Sequence, residues 1–465
     1  MPEKNIEACI LAAGMGTRMR SNRPKVLQRL AGRPLLAHLL DTLDALEPSR
    51  IHVVIGEGSE LIQAAFPDAK NVNWVMQTER LGTGHAVMQA ATHFSPGSHV
   101  IMLLGDAPLI SVDTLTTMAQ MDCDLGVLTV DMKDPCNYGR IVRDVNGNVT
   151  AIVEERDATV EQKAIQEINT GGMVAKASLL SHWLTSLDCK NDQREYLLTD
   201  IVAIAANAGC KVSAYKTSEV TEVTGINTFE QLASLEKEHQ GRNALKLMEQ
   251  GVHIIDPSRF DLRGEVKVGK DIVIDINVIL EGKVVLEDGV TIGANCIIKD
   301  SKIGRNTVIK SNSVIDETIV EADCSVGPFA RLRPGTHLKK AVAVGNFVEV
   351  KKSTLGEGSK ASHLAYLGDS TIGTSVNIGA GTITCNYDGV SKHETHIEDN
   401  VFVGSNASLV APVTIGEGST IGAGSTITRD VEGNVLAVSR GRQKIISHWQ
   451  RPAKKSLKKD RPGKK

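Results

Sequence analysis

From about residue 251 onward the sequence keeps a beat of six. Aliphatic residues fall at Val268, Ile274, Leu280, Leu286, Ile292 and Ile298. The phase slips by one and resumes at Ile303, Ile309 and Ile315. It slips again to give Val320, Val326, Leu332, Leu338, Val344 and Val350, and returns after an irregular middle at Ile397, Val403, Leu409, Ile415, Ile421 and Ile427. An α-helix repeats its faces about every 3.6 residues and an ordinary strand every two, so neither can carry this pattern. A period of six is the hexapeptide repeat of a parallel β-helix, each hexad giving a short strand and a turn. The aliphatic side chain points inward and stacks on its equivalent one coil away. Glycine often follows it, as in Ile292-Gly293, Ile303-Gly304 and Ile421-Gly422, and glycine and asparagine at turns tolerate positive φ. The 42 glycines and the 3% aromatic content suit a narrow interior.

The first half has another rhythm. IEACILAAG, IHVVIGE, HVIMLLGD and DLGVLTVD read as short buried strands ended by glycine or an acid. PLLAHLLDTLDALE, GTGHAVMQAATHF and SVDTLTTMAQM read as amphipathic helices between them. Such alternation predicts an α/β domain, a mostly parallel sheet covered by helices, whose ligands gather at the carboxyl ends of the strands. The domains expected are residues 1–228 and a β-helix over 251–450. A helical linker over 229–250, interrupted or bent near Gly241, joins them, and a basic disordered tail over 451–465 follows.

A net charge of -3 gives no nucleic-acid footprint. The eight cysteines are scattered without a C-x-x-C pair, which argues against a zinc ribbon or disulfide framework. No signal-peptide organisation and no bilayer-length apolar run occur in the sequence, so a cytoplasmic location without membrane insertion is expected.

The loop LAAGMGTRMRSNRPKVL, 11–27, resembles a phosphate loop but lacks the Gly-Lys-Ser/Thr ending of one common type and the third glycine of the dinucleotide type. Gly14 and Gly16 let backbone N–H groups approach phosphate oxygens. Arg18 suits a departing pyrophosphate, and Lys25 can neutralise a phosphate at the reacting centre. Asp106, at the end of the strand-like LLGD, is a natural Mg²⁺ ligand, since magnesium takes one or two protein oxygens plus substrate phosphates. Nucleotidyl transfer asks for little beyond such positioning and charge stabilisation.

Through L-A-A-G-x-G-T-R-M and Pro24-Lys25 the chain resembles the sugar-1-phosphate nucleotidylyltransferases. QTERLGTGHAV at 77–87, YGRIV at 138–142, IVE at 152–154, EINTG at 167–171, TGIN at 224–227 and the HxxY run His363–Tyr366 narrow the resemblance. They are similar to the bacterial family that joins N-acetylglucosamine-1-phosphate uridylyltransferase to glucosamine-1-phosphate acetyltransferase. The resemblance spans essentially the whole chain, with both domains in the same order. It implies a Rossmann-like nucleotidyltransferase domain, a left-handed β-helix and a homotrimer. The substrates implied are UTP, acetyl-CoA and glucosamine-1-phosphate. It also implies that Leu11, Ala12, Ala13, Gly14, Lys25, Gln77, Gly82, Thr83 and Gly105 meet the uridine nucleotide. Gly139, Glu154, Asn169 and Asn227 would recognise the sugar phosphate, and Asp106 and Asn227 would hold Mg²⁺. Leu104 stands where the family leads us to expect tyrosine, which leaves only a backbone contact there. Gln77 is suited to pair with a uracil edge.

The irregular middle of the repeat holds the second set of residues. Arg333, Lys351 and Lys392 are cations suited to a phosphate. His363 has the chemistry of a general base near neutrality, which an amine needs before it attacks a thioester. Glu349 is expected to orient the His363 ring. By resemblance, Arg333, Lys351, Tyr366 and Asn377 bind the amino-sugar phosphate, and Ala380, Asn386, Tyr387, Ser405, Ala423 and Arg440 line the acetyl-CoA site. Two rivals remain: a nucleotidylyltransferase whose β-helix is only a scaffold or regulatory domain, and a non-catalytic β-helical assembly protein that merely binds a nucleotide.

Overall fold

A computed structural model of the chain describes residues 5–14, 16–69, 71–191 and 193–452. Nearly all of the basic tail, 453–465, lies outside them. The chain divides into two compact units, Met1–Val284 and Val285–Lys465.

The first unit is built on a nine-stranded sheet. Its strands are β1 (Ile6–Leu11), β2 (Arg50–Ile55), β3 (Val72–Met76), β4 (His99–Leu104), β5 (Leu125–Asp131), β6 (Arg140–Arg143), β7 (Val149–Val153), β8 (Glu167–Lys176) and β9 (Val212–Thr217). The order is β9-β5-β8-β4-β1-β2-β3, with β6 joining β8 and β7 pairing with β6. β1, β2, β3 and β4 run parallel, as do β5 and β9, while β8 is antiparallel to β4 and β5. Alternate residues of one strand serve opposite faces. Thus Cys9, Val54, Val100 and Met102 pack with Val87 and Trp183 in one cluster. Ala8, Ile10, Val53, Ile101 and Leu103 pack with Leu36, Leu39 and Met118 in the other. A sheet apolar on both faces must be covered on both, and the helices do so.

Phe229–Glu249 is one helix of 21 residues, started by a Thr228/Gln231 capping box. It runs through Gly241 without the interruption expected there. One internal glycine costs only about 1 kcal/mol, and the helix formers on either side outweigh it.

The repeat begins in the first unit, where His253–Ile254 pairs parallel to Val273–Ile274, and it fills the second. There each coil has three short parallel strands. Ile298 stacks on Ile315, Leu332, Val350 and Leu367 in successive coils. Ile303 stacks on Val320, Leu338, Leu355 and Ile372. These inward residues are essentially unexposed. The phase slips have a plain cause: one face of most coils takes five residues rather than six, as between Ile298 and Ile303. Corners are turned by non-glycine residues at positive φ such as Asn295, Asn306, Asn312 and Asp323. Among the described residues no helix is long and apolar enough to cross a membrane.

Candidate active sites

In the first unit, the carboxyl ends of β1, β3 and β4 open on a cleft of about 340 Å³. Leu11, Ala12, Ala13, Gly14, Lys25, Gln77, Gly82, Thr83, Leu104 and Asp106 line it, as the sequence led us to expect, together with Val26, Arg80, Ala86 and Glu195. Gly105 sits behind this wall. Its N–H donates to the Leu11 carbonyl at 2.9 Å, and a Cβ there would come 3.0 Å from that oxygen. Gly16 has φ +62°, and a Cβ on it would meet Lys25 Cβ at 2.9 Å. The glycine therefore lets the loop close on the lysine stem.

Lys25 Nζ forms a salt bridge to Asp106 Oδ2 and donates to Asn227 Oδ1 at 2.8 Å, and Arg18 donates to the same oxygen at 2.6 Å. Four residues from three distant stretches thus converge. Asn227 is brought in by its neighbour, since the Ile226 N–H donates to the Asp106 carbonyl at 2.9 Å. Asp106 Oδ1 is buried with no hydrogen-bond partner. A buried carboxylate oxygen without a donor calls for an explanation, and a cation supplies one. Asp106 and Asn227 fit a divalent ion that takes its other ligands from phosphate and water. Among the described residues there is no cluster of three or more acidic, histidine or cysteine ligands, so no all-protein cage competes with this sparse set.

Gly139, Glu154 and Asn169 form a second group in the same unit. The Asn169 N–H donates to the Gly139 carbonyl at 2.9 Å, and a Cβ on Gly139 would touch the Glu154 carboxylate at 3.5 Å. Burial raises the Glu154 carboxyl above its usual range, opposed by a hydrogen bond from Thr199, whose hydroxyl is 3.0 Å away. Tyr138, part of the YGRIV motif but not among the expected site residues, stands next to Gly139. Burial and then the Asp106 charge push its phenol up, and its carbonyl accepts from the fully buried Arg140. Leu104 packs against Gly171, where a Cβ would come 2.4 Å from Leu104 Cδ1, so its side chain is a wall of the cleft.

In the second unit, Arg333 and Lys392 lie near Lys351. The nearby Lys392 ammonium, then desolvation and Arg333, hold the Lys351 ammonium below its usual range, with Asp369 opposing. Three like charges held together favour an anion among them. Glu349, expected to orient His363, instead accepts from Arg333 at 2.7 Å. The partner of the exposed His363 is Asn346, whose Oδ1 lies 2.7 Å from Nδ1. The reason is the register: Asn346 pairs with His363 on one face, while Glu349 pairs with Arg331 and Tyr366 on the next. Gly345 permits this stacking, because a Cβ there would come 1.9 Å from the Ser362 carbonyl. Tyr366 folds back so that its hydroxyl lies over Gly368. Asn377 pairs with Lys360 and Phe402 on the His363 face.

Ala380, Ser405 and Ala423 recur at one corner of successive coils. The Asn406 N–H donates to the Ala380 carbonyl at 2.7 Å, and the Gly424 N–H to that of Ser405 at 2.8 Å. Arg440 closes the series by donating to the Ala423 carbonyl at 2.6 Å. Asn386 and Tyr387 lie in the excursion that breaks the hexad beat. The Asn386 amide donates to the buried Asp369 carboxylate, and Tyr387 bridges to Lys392.

Three family models match separate stretches of the chain. Residues 8–164 match the MobA-like NTP transferase domain, 262–346 the GMPPB C-terminal domain, and 394–429 the bacterial transferase hexapeptide (six repeats). A structure from Bacillus anthracis described as a "Putative Glucose-1-Phosphate Thymidylyltransferase", in complex with a sucrose, overlaps 50% of this chain and 94% of its own. Its identity is 17% and its TM-score 0.41. The "Bifunctional protein GlmU" of Marinobacter nauticus is 52% identical over 451 residues, which is 97% of this chain and 99% of that protein. The chain therefore belongs to the GlmU family, the bifunctional enzymes that acetylate glucosamine-1-phosphate and then uridylylate the product in UDP-N-acetylglucosamine synthesis.

Proposed function

We propose that the two groups of residues described above are the two catalytic centres of this pathway segment. The β-helix acts first. The amine of glucosamine-1-phosphate attacks the thioester carbonyl of acetyl-CoA, forming the C–N bond and breaking the C–S bond. His363 takes the amine proton and returns it to the departing thiolate. Asn346 fixes the ring through Nδ1, which leaves Nε2 for the amine. Arg333, Lys351 and Lys392 hold the sugar phosphate, with Tyr366 and Asn377 on the sugar. Glu349 keeps Arg333 in place. Ala380, Asn386, Tyr387, Ser405, Ala423 and Arg440 take acetyl-CoA.

The first unit acts second. A phosphate oxygen of N-acetylglucosamine-1-phosphate attacks the α-phosphate of UTP, and the α–β bridge breaks to release pyrophosphate. Asp106 and Asn227 would hold Mg²⁺, which would supply charge neutralisation on the triphosphate. Arg18 and Lys25 neutralise the transferring and departing phosphates, and the glycine loop around Gly14 offers backbone N–H groups. Glu154, Asn169 and Gly139 hold the sugar. The observation that carries this reading is that Lys25 bridges Asp106 and Asn227, with Arg18 on the same Asn227 oxygen, beside a cleft walled by Gln77 and Gly82. Domain limits near 228 and 250, a trimer formed through the β-helix and a cytoplasmic location complete the reading.

The test is a coupled assay with glucosamine-1-phosphate, acetyl-CoA, UTP and Mg²⁺, each omitted in turn. Pyrophosphate release is expected to need Mg²⁺ and UTP, and acetylation to proceed without either. Pyrophosphate formed from N-acetylglucosamine-1-phosphate, with no CoA released from glucosamine-1-phosphate, would leave the β-helix a scaffold.

A further inference from the structure

Gln77 stands at the carboxyl end of β3, 5% exposed, in the wall of the nucleotide cleft. Its Nε2 lies 3.2 Å from the Gly82 carbonyl oxygen and 3.1 Å from His85 Nδ1. An amide nitrogen carries two hydrogens, and these two partners take both. Turning the amide over would set Oε1 against the Gly82 oxygen, two acceptors with no proton between them. No donor among the described residues reaches Oε1 as it stands, so that oxygen is left for whatever enters the cleft.

The arrangement depends on which nitrogen of His85 carries its proton. Nε2 of that ring lies 3.1 Å from the Gln89 amide, and a neutral imidazole accepts on one nitrogen only. The two amides therefore cannot both donate to it. Gln77 is the buried one, and its contact to Gly82 favours the same direction. Gln89 is half-buried, and its other contact, to the His85 carbonyl, is long at 3.4 Å. Gln89 is the amide that turns to accept from Nε2–H, which leaves the Nδ1 lone pair on Gln77. The ring is held in place beside Tyr196, 6.4 Å away, whose carbonyl accepts from the Gly84 N–H at 2.8 Å.

Uracil presents an N3–H donor on its pairing edge, whereas cytosine presents a bare N3 lone pair. We propose that His85 is a specificity-determining positioning residue. By accepting at Nδ1 it holds the Gln77 amide with its oxygen toward the cleft, which admits the N3–H edge of a uracil-type base and rejects cytosine. The inference rests on the reading that this cleft takes UTP.

The test compares kcat/KM for UTP and CTP, with N-acetylglucosamine-1-phosphate and Mg²⁺, in the full-length enzyme and three variants. H85E offers only acceptors and is expected to keep the wild-type UTP:CTP ratio. H85K offers only donors, which favours the turned amide, and is expected to narrow the ratio by about tenfold or more, the worth of one misdirected buried hydrogen bond. H85F, which keeps a ring beside Tyr196 without any hydrogen bond, is expected to fall between them. A purely structural role for His85 would lower both substrates together and leave the ratio alone. An unchanged ratio in H85F or H85K, or a ratio lost equally in H85E and H85K, overturns the proposal while the UTP reading stands. A wild-type enzyme that does not prefer UTP to CTP overturns both.

Discussion

Replacing Lys25 with methionine keeps the length of the side chain and removes only its ammonium. The lysine and Asp106 side chains are 10% and 18% exposed, and Asp106 Oδ1 has no other partner. Stranding a carboxylate by removing its buried partner costs about 3–5 kcal/mol. The residual exposure of Asp106 brings this to about 2–3 kcal/mol. In a unit of this size the loss lowers the unfolding midpoint by roughly 5–10 °C, readable by calorimetry without nucleotide. Mg²⁺ should then act differently on the two proteins. In the wild type the ion must displace the ammonium from Asp106 and Asn227, whereas in K25M the Asp106 carboxylate is free and only Arg18 remains on Asn227. Mg²⁺ at about a hundred times its dissociation constant returns about 2.7 kcal/mol to the variant, restoring most of the midpoint, and shifts the wild type less. Uridylyl transfer falls about 10²–10³-fold, the usual loss when one charge-stabilising donor goes, while acetyl transfer is unchanged. A K25M protein that melts with the wild type in the absence of metal would refute the buried pair. One that gains no more from Mg²⁺ than the wild type does would refute the cation site.

Four further variants test the geometry. His363→Ala is expected to abolish acetyl transfer and spare pyrophosphate release, and Asn346→Ala to lower acetyl-transfer kcat. Normal acetylation in the histidine variant would end the base assignment. Lys392→Ala removes the repulsion that depresses Lys351. That repulsion disfavours the folded state while both amines are charged and fades as pH rises through the lowered pKa toward 10.5. The variant should therefore show a higher Lys351 pKa by NMR and a higher KM for glucosamine-1-phosphate, with the same UTP kinetics. Burial raises the folded pKa of Glu154 above 4.5, so its stabilising share is complete below pH 4.5 and is lost as pH rises through the raised value. Glu154→Gln should flatten urea-denaturation stability across that window and weaken sugar binding, and an unchanged slope would contradict the burial.

How far the sequence could be read depended on whether a feature repeats or is held by a side chain elsewhere. The hexad beat is a packing rule applied coil after coil, so the prism and even its five-residue faces are visible in the spacing of Ile298, Ile303 and Ile309. The alternation of Cys9 and Ile10 between two cores is equally local. Gly241 misled, because a single glycine cannot end a helix whose start is capped and whose flanks all favour it. The partner of His363 was also hidden. Glu349 is the more chemically attractive orienter, yet pairing register puts Asn346 on the histidine's ladder and leaves Glu349 for Arg333. His85 carried no signal at all, since its role exists only through the two hydrogens of Gln77.

The two centres solve one electrostatic problem in opposite ways. On the proposed assignment each receives a sugar phosphate, and each gathers cations. In the first, Lys25 is neutralised by Asp106 and hydrogen-bonded to Asn227, and a divalent ion with a polyphosphate would replace that internal pairing. In the second, Lys351 faces Lys392 and Arg333, with Asp369 opposing and Glu349 paired to Arg333, so the repulsion is only partly offset before a phosphate arrives. The first arrangement makes binding depend on exchange with a metal, and the second makes it depend on the anion alone. A site of the second kind loses affinity steadily as salt screens its exposed charges. A site of the first kind, with its pair largely buried, responds mainly to the concentration of the divalent ion.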